Sequence, residues 1–230
     1  MKTKKIPVRY MLAAAAFVGI TVTAILFSCD VYRIVPLYVS LVVMILQTRA
    51  NRACFLLGGL NAAYYAVVYV TLKLYGMALY SICVACPLQI ITYIRWCRQP
   101  YAQATVLRRL TLKQRIGWGA GMAALWAALY LILDAFGSGY LILDNTISVI
   151  SAAGNVGSML SLIEFPFMQI LAQVLNITLY VKMVAEDPRQ WTYLIYSVYA
   201  LACCGMSACY MQGLYRRQRM EHRRDCKREG

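Results

Sequence analysis

Charge is scarce in this chain. Asp, Glu, Lys and Arg make up 14% of its 230 residues, and only nine of them are acidic. Soluble domains run to about a quarter charged, so a soluble fold is excluded. There is one histidine, His222, and it sits in a basic C-terminal stretch. No acid or histidine falls deep within an apolar run, so a proton relay has no members. No metal site, catalytic residue or cofactor is expected. Long polar segments are also missing. The stretches between apolar runs are too short for a soluble domain, so any activity has to be built from helix interiors.

What the chain has instead is apolar length. It is 61% hydrophobic with a mean hydropathy of +0.59. Runs long enough to cross a bilayer recur at 9–28, 33–48, 53–72, 75–95, 116–136, 145–163, 166–185 and 191–214. The second is the shortest. This predicts an all-α integral membrane protein with eight spans.

The net charge of +14 invites a nucleic-acid reading, but the placement of the cations argues against it. Nineteen of the 23 Lys and Arg lie in four places: the N-terminus, Arg49 and Arg52, the stretch 95–115, and the tail after 214. With eight spans all four face one side, which the positive-inside rule makes cytoplasmic. Asp30, Asp134, Asp144, Glu186 and Asp187 are placed in the opposite loops. Both termini are therefore expected in the cytoplasm. "LFSC" (Leu26–Cys29) has the look of a lipoprotein-type cleavage signal. Phe27 suits that signal poorly, so the first run reads as a retained helix.

The chain has the marks of a duplication. Arg49 and Asn61 stand 12 apart at the end of one span and inside the next, and Glu164 and Asn176 repeat this. "YSICVAC" (Tyr80–Cys86) resembles "YSVYALA" (Tyr196–Ala202) at nearly the same offset. The expected organisation is an extra N-terminal helix (1–32), a first three-helix unit (33–96), a basic loop and connector helix (97–144), a second three-helix unit (145–214) and a basic tail (215–230). A single connector makes the units parallel, which puts a site at their interface near the midplane.

Polar groups in hydrocarbon cost free energy unless paired, so they mark that site. Asn61, Gln89, Thr92, Asn155, Gln169, Gln173, Asn176 and Thr178 fall inside spans. Three helices carry an amide with a tyrosine one turn on: Asn61 with Tyr65, Gln89 with Tyr93, and Asn176 with Tyr180, which is also seven after Gln173. Amides offer a donor and an acceptor, and aromatic faces stack on flat rings. The expected substrate-binding residues are Asn61, Tyr65, Gln89, Tyr93, Gln169, Gln173, Asn176 and Tyr180. The bland alternative is that the amides bridge helices. Tyr10, Tyr38, Tyr193 and Tyr215 read as an interfacial belt, and Arg95 and Trp96 as the membrane edge. Pro87 predicts a kink that frees the carbonyl of Cys83.

"GGLN" (Gly58–Asn61), "LYG" (Leu74–Gly76) and "PLQIITYIRW" (Pro87–Trp96) resemble the first half of PnuC-type vitamin transporters. The match lies in a glycine three before an asparagine and in the spacing of Gln89, Tyr93 and Trp96. Glu164 resembles the acid that opens a helix in the second half. The resemblance implies a three-plus-one-plus-three arrangement similar to the SWEET sugar transporters, and a homotrimer. It implies facilitated diffusion of nicotinamide riboside, thiamine, riboflavin or a deoxynucleoside, trapped by a cytoplasmic kinase. The nicotinamide riboside carriers' WxxWxxxN pattern is not kept. Its tryptophan positions fall on Pro166 and Gln169, and its asparagine position on Gln173. The duplication instead pairs Asn61 with Asn176. Gln173 and Asn176 lie about 60° apart on a helix, so each stays a candidate.

Two other classes compete. "CVAC" (Cys83–Cys86) has the spacing of a thiol oxidoreductase, although it falls mid-span, where packing is the plainer reading. The tail "RRQRMEHRRDCKRE" (Arg216–Glu229) would suit a scaffold held to anionic lipid, or simple topological anchoring.

Overall fold

Lipid offers no partner to an exposed backbone amide, so the apolar runs become helices. In the computed structural model the described residues are 8–98, 100–101, 104–137 and 139–229, without the side chains of 222–229 and Pro100. The helices are α1 (Val8–Leu26), α2 (Val31–Gln47), α3 (Ala53–Thr71), α4 (Tyr75–Tyr80), α5 (Cys86–Arg98), α6 (Leu112–Ala135), α7 (Leu141–Met159), α8 (Phe165–Glu186) and α9 (Trp191–Glu229). A π-helical turn, Ser81–Ala85, fuses α4 and α5 into one rod, Tyr75–Arg98. A short antiparallel hairpin, β1 (Pro100–Tyr101) and β2 (Ala104–Thr105), follows it.

Six of these rods are long and apolar enough to span a bilayer. The exceptions have visible causes. Helix α2 has 17 residues, and α7 carries Asp144, Asn145, Ser148, Asn155 and Ser158, all buried. Helix α7 is shielded from lipid by its neighbours, so its polar residues meet protein.

Helix α2 packs on α3 and α3 on α5, while α7 packs on α8 and α8 on α9. The two sets meet where α4 and α5 touch α7 and where α2 touches α9. Helix α6 lies against α7 with only Leu133 buried. Helix α1 lies against α9 and α2. Helix turns at Ser28, Ala50, Lys73 and Ser161 each place a non-glycine residue at positive φ. In each, that residue's N–H bonds the carbonyl three back and the next N–H the carbonyl five back, for example Ala50 to Gln47 and Asn51 to Leu46.

Three expectations need correction. Asp144, placed in an outer loop from sequence, is fully buried in the first turn of α7. Its carboxylate oxygens accept from the backbone N–H of Gly76 and Met77, each at 2.8 Å. The open N–H groups that begin α4 compensate the buried charge. Trp96 does not mark the membrane edge by facing lipid. It is fully buried, donates from Nε1 to the Ser158 carbonyl at 3.0 Å, and meets the Phe55 and Phe165 rings edge-on. Tyr193 is likewise interior, stacked on Tyr180 with 5.4 Å between centroids. Helix α9 runs on through the basic stretch after 214 to Glu229. No proline follows Trp191, and Arg, Gln, Met and Glu all favour helix.

Candidate functional site

The interface between the two helix sets holds a cavity of about 190 Å³. It is walled by α2, α3, the α4–α5 rod, α7, α8 and α9. Among the described residues that line it there is no Asp, Glu, Lys, Arg or His. Amides, hydroxyls and tyrosine rings make up its polar surface.

Seven of the eight residues expected from sequence line this cavity: Asn61, Tyr65, Gln89, Gln169, Gln173, Asn176 and Tyr180. Tyr93 is separate. It is half-buried, and its ring packs on the cluster that contains Phe55 and Trp96. Sharing a helix face with Gln89 does not bring Tyr93 to the cavity, because the apolar cluster takes its ring. Thr92 and Thr178 also stand apart, each donating to the carbonyl one turn back, Leu88 at 2.6 Å and Val174 at 3.1 Å.

Several polar groups of the wall are already paired. Asn61 Nδ2 donates to the Pro36 carbonyl at 2.9 Å and to Ser40 Oγ at 2.8 Å. Ser40 passes the chain on, its hydroxyl donating to Tyr65 at 3.2 Å, and Tyr65 stacks on Tyr69. Asn155 Nδ2 donates to the Tyr80 hydroxyl at 2.6 Å, linking α7 to α4. Gln47 Nε2 donates to Gln169 Oε1, so an amide pair joins α2 to α8 where the two sets meet.

The α8 wall differs. Gln173 Oε1 and Asn176 Oδ1 are buried and have no hydrogen-bond partner among the described residues. A buried acceptor left unpaired costs about 1–3 kcal/mol, so these two cavity-lining residues are where a donor is missing. Sequence reasoning left Gln173 and Asn176 as alternatives, and the fold brings each of them to the cavity.

The π turn and Pro87 lie beside this site. Ser81 and Ala85 of the turn, and Gln89 two residues beyond Pro87, line the cavity. Instead of a simple kink, the helix widens before its proline, as π turns do at functional sites. Gly59 lets α3 approach the rod closely: a Cβ there would stand 3.2 Å from the Cys86 carbonyl oxygen. Cys83 is exposed and Cys86 half-buried, and each is a free thiol.

Sequence reasoning missed Ser40, Gln47, Tyr80, Tyr193 and Tyr196 of the lining. Gln47 lay at the end of the shortest run, and Tyr193 looked like belt. Tyr196 opens the "YSVYALA" repeat of "YSICVAC", in which Tyr80 holds the matching place, so that repeat was the usable signal.

Comparison with known proteins extends these observations. A family model described as nicotinamide mononucleotide transporter matches residues 30–210, which leaves α1 outside it. The crystal structure of the vitamin B3 transporter PnuC superposes with a TM-score of 0.74 at 19% identity, over 90% of this chain and 92% of that one. That likeness establishes the fold. Comparison with curated proteins gives no match. With its membrane helices, uncharged cavity and family match, the chain is a membrane transporter rather than an enzyme, and it belongs to the nicotinamide mononucleotide transporter family.

Proposed function

We propose that this protein carries a flat-ringed vitamin or nucleoside, neutral or with a single ring cation, by facilitated diffusion across the bacterial inner membrane. The observation that carries the reading is the uncharged cavity with the open amide oxygens of Gln173 and Asn176. These acceptors suit the hydroxyls of a sugar or alcohol. The stacked pairs Tyr65–Tyr69 and Tyr180–Tyr193 give it aromatic walls. Nicotinamide riboside, thiamine, riboflavin and the deoxynucleosides share this pattern. The solved PnuC structure is of a vitamin B3 transporter, which keeps nicotinamide riboside in the set. Pro166 and Gln169 stand where the riboside carriers have tryptophan, and this weighs toward the others.

The binding set is Asn61, Tyr65, Gln89, Gln169, Gln173, Asn176 and Tyr180. The units 33–96 and 145–214 rock about the cavity, with α6 as connector and 1–32 as an added helix. The packing of α2 on α3 on α5, and of α7 on α8 on α9, supports this three-plus-one-plus-three reading. Both termini lie in the cytoplasm, a kinase there traps the solute, and the protein assembles as a homotrimer.

The deciding experiment has two parts. A thermal-shift screen against the four solute classes identifies the ligand, and the Gln89→Ala variant should lose its shift. Uptake into proteoliposomes without any ion gradient then tests the mechanism. A requirement for a proton or sodium gradient would sink the facilitator reading.

A further inference from the structure

Apart from the central cavity, the molecule has a recess of about 460 Å³ at the end where α6 and α8 begin. Arg109, Arg115, Arg216, Arg219, Glu164 and Tyr215 line it. Only Arg115 has an acidic partner among the described residues, its Nη2 standing 2.7 Å from Glu164 Oε1. The other three guanidiniums in the recess have no ion-pair partner among the described residues.

Topology accounts for the number of arginines on this side but not for their convergence. They come from three separate elements: the loop after β2, the first turn of α6, and α9. Arg216 and Arg219 are three apart, on one face of α9. The loop that carries Arg109 is tied down on two sides. Arg108 N–H donates to the Ser161 carbonyl and Ile163 N–H returns to the Arg108 carbonyl, each at 2.9 Å. Gln218 of α9 accepts from Leu107 N–H at 3.0 Å and donates to the Thr105 carbonyl at 3.1 Å. Thr111 and Gln114 form a reciprocal cap that fixes the start of α6 beneath Arg115. Bringing like charges together on fixed backbone is unfavourable unless an anion completes the set.

We propose that this recess binds a phosphate group. Guanidinium forks match phosphate oxygens two at a time, and an arginine cluster is the usual protein answer to a phosphate. The recess is large enough for more than the phosphate alone. Glu164 Oε2 is buried and has no partner among the described residues, so a hydroxyl of the attached sugar or glycerol that reaches it meets an unpaired acceptor. The Tyr215 and Phe167 rings flank the charges. A phosphorylated sugar or nucleoside and an anionic lipid headgroup present this same chemistry. The site stands whatever solute the central cavity carries.

The test uses the full chain in nanodiscs of phosphatidylcholine, titrated calorimetrically with ribose 5-phosphate and, as control, ribose. In parallel, nanodiscs containing phosphatidylglycerol are analysed by native mass spectrometry for retained lipid. For a free phosphate ester, ribose 5-phosphate saturates the site, ribose does not, and added salt weakens binding. For a lipid headgroup, the sugar phosphate gives no heat and phosphatidylglycerol stays bound through detergent exchange. The responsive arm should fall at least about tenfold in Arg216→Gln/Arg219→Gln and in Arg109→Gln. Arg217→Gln, which removes one charge just outside the recess as Arg109→Gln removes one inside it, should leave binding unchanged. An unaltered melting profile checks the fold of each variant. No response in either arm overturns the proposal. So does an equal loss in Arg217→Gln, which would indicate a diffuse charge effect.

Discussion

Gly58 of α3 and the Gln89 side chain of the α4–α5 rod use one space, because a methyl group on Gly58 would collide with Gln89 Oε1. The missing side chain on α3 lets the amide reach the cavity. Gly58→Ala should therefore raise helix propensity by up to about 1 kcal/mol while displacing Gln89. The expected outcome is an unchanged or higher melting temperature with solute affinity lowered about threefold to tenfold, the worth of one neutral hydrogen bond. Calorimetric titration beside a melting curve checks both. Lost stability with full affinity would contradict it.

The open carbonyl of Asn176 predicts a different pattern. Asn176→Leu removes a buried acceptor that costs about 1–3 kcal/mol while empty. The solute-free protein should melt no lower than the wild type, and solute should bind at least about tenfold more weakly. Gln173→Leu should behave alike. A large drop in melting temperature without solute would mean these amides serve the fold.

Asp144 clamps the start of α4 to α7 through two backbone N–H groups. Asp144→Asn keeps the shape, removes the charge, and turns an –NH₂ toward donors. We expect a loss of about 1–3 kcal/mol, the scale of charge-assisted bonds, seen as a lower melting temperature. Solute affinity of the folded fraction should stay within about twofold, because Asp144 does not line the cavity.

The titratable side chains in the described lining are tyrosines and cysteines. Their ordinary pKa values lie at about 8.5 and above, so no group in the cavity gains or loses a proton between about pH 5.5 and 7.5. Uptake rates should be flat across that window and indifferent to a proton uncoupler. A slope of one proton per pH unit would reveal a group outside the lining that controls transport.

The membrane helices and most of the cavity's amides were legible in the chain, because hydrocarbon penalises every unpaired polar group and leaves few in place. Asn61 and Asn176 could be matched through the 12-residue spacing alone, and the cavity holds both. The aromatic residues were the weak point. Tyr193 and Trp96 have the composition of an interfacial belt yet pack inside, since an indole or phenol serves either place once its polar atom has a partner. Tyr93 shares a helix face with Gln89 but packs on the Trp96 cluster, and nothing local distinguishes the two.

The sequence by itself determined that this is a multi-helix membrane protein with its cations gathered on one side, and which amides stand in apolar surroundings. Hydropathy and charge placement act residue by residue, so they need no knowledge of neighbours. Only the tertiary structure decided which amides are already paired and which are open. Asn61 is satisfied by Pro36 and Ser40, whereas Gln173 and Asn176 keep unpartnered oxygens in the cavity lining. It also decided that Asp144 is an interior clamp and that Arg109, Arg115, Arg216 and Arg219 converge. Pairing and convergence depend on atoms far apart in the chain, and only the packed helices bring those atoms within reach of one another.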